Sequence, residues 1–261
     1  MGHERLGTLP KTKPWKTVVA QIASFSSSES SVAEITQQTL RNVRSRFDNI
    51  ESDSGVFSSF EFLVLLAFAS KERNPSKYLS SKGIQTSEKL TPLQLAKEIS
   101  KWVTKSKGSN EYAAFAQAAA VDSVSEWYRK QNTSQTNLFD SELSSADVWK
   151  KSGNGSGFCE LSRLYFSKFT ERYLKYFLER EASSQINTLA NRNRFDSEIR
   201  EHVAEISEHA FETAKITQSF AAGWFNNQVK KGFPSKKSIQ SFLSISFGKM
   251  RSELLREEDK K

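Results

Sequence analysis

Four side chains that could bind a metal ion or transfer a proton lie on one predicted helix. They are Glu198, His202, Glu205 and His209, at spacings of four, three and four residues. This spacing places all four on one helical face, and carboxylate with imidazole suits zinc, iron or manganese. The metal-binding candidates are therefore His202, Glu205 and His209. A charged face exposed to solvent explains the same pattern, and neither histidine follows a glutamate by three residues, as paired di-iron helices require.

A second group of candidate residues is a concentration of positive charge near the carboxyl end. Residues 213–256 hold eight lysines or arginines and one acid, which is most of the net charge of +8. Pro234 and Ser235 predict the start of a helix, whose free N–H groups favour an anion. Lysines on both sides of that start favour the phosphate of a nucleic acid, a nucleotide or a lipid headgroup. A solvated basic face with buried aromatic rings explains the same residues without a ligand. The candidate nucleic-acid or phosphate-binding residues are Trp224, Lys230, Lys231, Phe233, Lys236 and Lys237.

The motifs of common enzyme classes are missing from the sequence. The segment GNGSG at 153–157 lacks the lysine of a phosphate-binding loop, and the chain has no H-E-x-x-H or G-x-S-x-G pattern. Its single cysteine, Cys159, cannot form an internal disulfide and is expected to be a small buried or half-buried residue. We therefore predict no catalytic residue and no cofactor, and we favour a protein that is not an enzyme.

Composition favours a helical protein outside the membrane. Hydrophobic residues make up 37% of the 261 positions, and five prolines and eleven glycines leave long uninterrupted segments. The longest strongly apolar run, 60–69, has about half the length that crosses a bilayer, and the first residues contain no apolar core of signal-peptide length. We expect a soluble, cytoplasmic protein without membrane contact.

One stretch, 157–183, organises the chain as a helix with a broad aromatic face. Its face consists of aromatic and leucine side chains at helical spacing, widened by two further phenylalanines: Phe158, Leu161, Tyr165, Phe169, Tyr173 and Tyr176, with Phe166 and Phe177. We predict an all-α fold of eight or nine helices in a compact bundle, built as one unit or as two helical lobes. The predicted divisions are a basic N-terminal arm (1–14), an N-terminal lobe (15–150), a C-terminal lobe (151–256) with a hinge near 150–157, and a frayed tail (257–261).

Local signals predict several of the other elements. Ser30 or Ser31 with Glu34 indicates a capping box, and Thr91 followed by Pro92 indicates a second helix start. The apolar segment 56–70 predicts a buried helix, with a parallel strand as the competing interpretation. Residues 71–90 are predicted to form a long loop. The pattern from Phe195 to Ala221 predicts one long amphipathic helix.

Three segments resemble a family of uncharacterised bacterial helical proteins. They are GTLPKTKPWKTVV near the start, LYFSKFTERYLKYFLEREAS in the centre and FAAGWFNN at 220–227. Proteins of this kind are encoded beside ATPases and nucleases in anti-phage defence operons. The resemblance implies a helical fold and a role in antiviral defence, but it carries over no catalytic residue.

Three functions from different classes follow from these features. The leading hypothesis is a non-enzymatic subunit or adaptor of a bacterial multi-protein complex in anti-phage defence. It would dock on a protein partner from the same operon through Arg5, Lys11, Lys13 and Trp15. The alternative is a nucleic-acid-binding protein that uses the basic C-terminal patch. A second alternative is a metal-dependent enzyme at the Glu/His helix face.

Overall fold

The computed structural model describes residues 9–44, 47, 50–87, 90–106, 110–133, 145–211 and 219–256. These residues form eleven α-helices and three short 3-10 turns, and they contain no β-strand, which confirms the all-α class. The helices are α1 (Lys13–Ser24), α2 (Val32–Asn42), α3 (Ser54–Ala69), α4 (Pro75–Ser81), α5 (Pro92–Thr104), α6 (Asn110–Thr133), α7 (Ser145–Lys150), α8 (Gly155–Gln185), α9 (Leu189–Phe211), α10 (Phe220–Lys231) and α11 (Lys236–Leu255).

The predicted number of eight or nine helices is slightly low for two reasons. Helix α4 lies inside the segment 71–90, which was predicted to be a loop. Its start is marked by Pro75 in the first turn and by Asn74, whose side chain accepts a hydrogen bond from the Lys77 backbone N–H at 2.9 Å. The predicted long helix from Phe195 corresponds to α9 and α10. Residues 212–218 lie outside the described part of the chain, as do the tail 257–261 and the first eight residues of the predicted arm.

Helix starts agree with the local signals in the sequence. Ser31 and Glu34 form the predicted capping box at α2, and Thr91 caps α5 with Pro92 in its first turn. Asp53 caps α3 by accepting hydrogen bonds from two backbone N–H groups, at 2.8 and 3.1 Å. Each such cap satisfies donors that the helix itself cannot satisfy, so these positions determine where the helices begin.

The central helix, α8, supplies the largest share of the aromatic core. Phe158 stacks on Phe225 with ring centroids 4.6 Å apart, and Phe166 packs edge-on against Phe247 at 4.9 Å. Buried Tyr165 shares a 2.7 Å hydrogen bond with Ser59 of α3, which satisfies its hydroxyl. The predicted aromatic stripe is therefore a packing surface that joins α8 to several helices, because aromatic side chains bury large areas.

Helix α3 confirms the helical interpretation of the segment 56–70. Almost every residue from Phe60 to Ala69 is buried, on all sides of the helix. A helix that is apolar all round is expected at the centre of a protein as well as in a membrane. Among the described residues, no helix is both long and apolar enough to span a bilayer.

Two glycines of the predicted hinge lie where neighbouring atoms leave no room for a side chain. A Cβ atom added to Gly157 would lie 2.0 Å from the Lys151 carbonyl oxygen, and one added to Gly155 would lie 2.7 Å from the Asn226 side chain. Both glycines are buried. They therefore allow α8 to begin directly against its neighbours. The division into two lobes on either side of this segment stays a prediction.

Candidate functional site

The four C-terminal lysines flank a tight connection between two helices. Helix α10 ends at Lys230 and Lys231, and α11 begins at Lys236 and Lys237. Gly232 has a φ of 102°, a conformation that side chains disfavour. The Ser235 hydroxyl accepts a hydrogen bond from the Ser238 backbone N–H at 3.2 Å and caps α11. All four lysines are exposed. The connection thus lies between two pairs of exposed lysines.

The two aromatic residues of the predicted site anchor this connection to the core. Trp224 is half-buried, lies 4.7 Å from the Phe242 ring and donates from Nε1 to Ser238 Oγ at 3.2 Å. Phe233 is half-buried and packs edge-on against Phe68 of α3 at 5.3 Å. Both rings pack against other helices, Trp224 against α11 and Phe233 against α3.

The structure brings a second basic segment to the same place. Residues 71–82, between α3 and the end of α4, hold four lysines or arginines and one acid. The Nζ atom of Lys82 lies 5.9 Å from the centre of the Phe233 ring and 5.6 Å from that of Tyr78. The two segments therefore meet around Phe233. We call their cations the basic face: Lys71, Arg73, Lys77, Lys82, Lys230, Lys231, Lys236 and Lys237.

The cations of the basic face are exposed and are not neutralised by direct ion pairs. Within the described part of the chain, none of the eight has a carboxylate at salt-bridge distance. Elsewhere the protein pairs its charges closely. Buried Glu171, for example, contacts Lys175 at 2.8 Å and Arg200 at 3.3 Å. A group of unpaired cations attracts anions more strongly than a surface of mixed charge.

A cleft of about 510 Å³ opens beside the basic face, between the starts of α3 and α11 and the end of α5. Lys236 and Lys237 line it together with Glu61 of α3. Burial raises the pKa of the Glu61 carboxyl above its ordinary value, while Lys236 and a hydrogen bond from the Trp102 side chain act in the opposite direction. The cleft therefore combines two amines with one partly desolvated carboxyl group.

Of the residues predicted to dock a protein partner, Trp15 lies in the core, and Lys11 and Lys13 lie at the surface. Trp15 is only 3% exposed, and its Nε1 donates to the Glu181 carboxylate of α8 at 3.1 Å. Its ring is taken up by the core, because it packs edge-on against Phe177. Lys11 and Lys13 are exposed, and Arg5 lies outside the described residues.

The predicted metal-binding residues lie on the outer face of α9. Glu205 and His209 are about two-thirds exposed, with His209 Nε2 and Glu205 Oε1 4.0 Å apart, and His202 is half-buried. Glu198 contacts Arg194 at 3.6 Å. Across the described residues, no three His, Cys, Asp or Glu side chains are grouped so that they could hold a metal ion. A metal-dependent enzyme at this face stays a prediction.

Comparison with known proteins finds no matching family model, no similar curated protein and no similar solved structure. The functional argument therefore depends on the chemistry of the chain itself.

Proposed function

We propose that this helical protein binds the phosphate backbone of nucleic acid through the basic face, without catalysing a reaction on it. The observation that carries the proposal is the contact between residues 71–82 and 230–237 at Phe233, where Lys82 lies over the ring, because the two segments together hold eight exposed cations. Two segments with no sequence relation supply a surface on which positive charge predominates.

The electrostatics of nucleic acid suit such a surface. Each lysine that replaces a condensed counterion on the phosphate backbone gains free energy by counterion release. The cations of the basic face have no direct ion pair to break on binding within the described structure. We therefore expect binding to single and double strands with little dependence on base sequence, because phosphate contacts carry no sequence information.

Fluorescence anisotropy with labelled single- and double-stranded oligonucleotides tests the proposal. If five or more cations contact phosphates of duplex DNA, log K is expected to fall against log salt with a slope of about −4.5 or steeper. An uncharged peptide-nucleic-acid strand of the same sequence is the matched ligand control and is expected not to bind. Absence of binding to any strand at low salt would contradict the proposed function.

The expected role as a subunit of a bacterial defence complex in the cytoplasm is a second proposal. It is supported by the resemblance of three segments to proteins from anti-phage operons and by three exposed apolar side chains that a partner would cover. These are Leu93 (81% exposed), Leu189 (71%) and Ile245 (53%). Stoichiometric co-purification with a protein encoded beside it would support this role, and recovery of the chain alone would count against it.

A further inference from the structure

The cleft beside the basic face has the size and chemistry of a small-ligand site. Its volume of about 510 Å³ lies within the range of roughly 300–1,000 Å³ that is usual for sites of small molecules and cofactors. Helices α3 and α11 line it together with Ser52 and Ser106, and these elements contribute amines, a carboxyl group, hydroxyls and an aromatic ring. The lining side chains that the argument uses are Phe57, Glu61, Lys236 and Lys237.

The two lysines give the cleft an affinity for phosphate. Lys236 and Lys237 are adjacent in the first turn of α11 and are both exposed where they line the cleft. Ammonium groups form charge-assisted hydrogen bonds with phosphate oxygens, which are stronger than neutral hydrogen bonds. If these lysines bind the phosphate group of a ligand, the remainder of the cleft can hold the other parts of that ligand.

Glu61 determines which kind of molecule fits the cleft. Its carboxyl group is half-buried and receives a hydrogen bond from the Trp102 side chain. A carboxylate has room for about four hydrogen bonds, so it favours a ligand with N–H donors. The half-buried ring of Phe57 lines the same cleft, and aromatic side chains are common stacking partners of nucleobases.

We propose that this cleft binds one guanine nucleotide, with its phosphate on Lys236 and Lys237 and its base hydrogen-bonded to Glu61. Guanine presents two adjacent donors, N1–H and the N2 amino group, which match the two oxygens of one carboxylate. Adenine and cytosine present one amino group and uracil one ring N–H. If the guanine nucleotide belongs to a strand bound on the basic face, this inference rests on the proposed function and deepens it.

Isothermal titration calorimetry of the full chain with single nucleotides tests the inference. GMP is expected to bind at least about tenfold more tightly than IMP, which lacks the N2 amino group, because a bidentate pair contributes about 1–3 kcal/mol of discrimination. AMP, UMP and inorganic phosphate are expected to bind more weakly than GMP. Equal affinity for GMP and UMP, or no heat with GMP at about 1 mM, would overturn the inference.

The variant Glu61→Gln separates recognition of the base from attraction of the phosphate. It keeps the shape of the side chain, and it is expected to lower the affinity for GMP by about tenfold or more without lowering the affinity for inorganic phosphate, because it removes a negative charge that acts on Lys236. Glu29→Gln, at an exposed position outside the cleft, is the matched control and is expected to bind GMP as the wild type does. If Glu61→Gln binds GMP as tightly as the wild type, the assignment of the base to Glu61 is wrong.

Two oligonucleotides distinguish binding of a free nucleotide from binding of the 5′ end of a strand. An oligo-uridine strand that carries a 5′-phosphoguanosine is expected to bind more tightly than the same strand with 5′-phosphouridine, and Glu61→Gln is expected to remove the difference. If GMP binds but the two strands do not differ, the ligand is the free nucleotide. Salt-dependent binding of the all-uridine strand tests the basic face alone, so either proposal can fail without the other.

Discussion

Reversal of three charges, Lys71→Glu, Lys77→Glu and Lys82→Glu together, is expected to weaken nucleic-acid binding by about 100-fold or more at low salt. A lysine close to a polyanionic surface contributes about 1 kcal/mol, and three such losses correspond to roughly two orders of magnitude. Reversal adds repulsion to this loss. Anisotropy titration against the same oligonucleotide measures the change in affinity. The variant leaves every other segment of the chain unaltered.

This variant distinguishes binding through the basic face seen in the structure from binding through the C-terminal patch that the sequence predicted. The sequence predicted only the lysines after Trp224, so a protein that binds through that patch alone would tolerate changes at 71–82. The matched control is the triple reversal of Lys11, Lys13 and Lys16, which are also exposed but belong to α1 or precede it. The control is expected to weaken binding far less. Because Lys82 contacts the Phe233 ring, unfolding curves must show that the first variant is folded. Equal binding by the two triple variants would contradict the basic face.

The substitution Gly157→Ala is expected to destabilise the protein by about 3 kcal/mol or more. The added Cβ atom would lie 2.0 Å from the Lys151 carbonyl oxygen and 2.8 Å from the Lys151 carbonyl carbon. Both are backbone atoms, which cannot move aside by rotation of a side chain. Helix α8 would have to shift, and with it the stacked ring of Phe158. A lowering of the melting temperature by roughly 10 °C is expected, measured by thermal unfolding.

Gly223→Ala provides the control for this prediction. Gly223 lies inside α10, and a Cβ atom there would have no neighbouring atom within 4 Å. Alanine favours the helix over glycine by up to about 1 kcal/mol, so this variant is expected to be as stable as the wild type or more stable. If Gly157→Ala had the same stability as Gly223→Ala, the close contact at the start of α8 would be wrong.

The helices could be predicted because their signals are local. The capping box at Ser31 and the aromatic face of α8 depend on residues a few positions apart, and both are confirmed. Cys159 is half-buried, as expected, with Sγ 2.8 Å from Ser219 Oγ. Helix α4 was missed although Asn74 and Pro75 mark its start, because the serines and glycine around it also suit a loop.

The basic face could not be predicted because it depends on contacts between distant parts of the chain. Residues 71–82 carry a modest excess of charge, and nothing in their spacing relates them to Phe233. Residues 71–82 lie near Phe233 because Phe233 packs against Phe68, a contact that belongs to the tertiary packing of α3. The burial of Trp15, a predicted docking residue, also depends on a distant part of the chain, since its hydrogen-bond partner, Glu181, lies 166 positions away.

The salt dependence of binding after neutralisation of each segment tests the central claim most directly. Lys71→Gln with Lys77→Gln changes one segment, and Lys230→Gln with Lys231→Gln changes the other. Each lysine that contacts a phosphate contributes about one unit to the slope of log K against log salt. If both segments bind one strand, each pair is expected to reduce the magnitude of the slope by about two units. A slope that changes with only one pair would contradict a surface shared by the two segments.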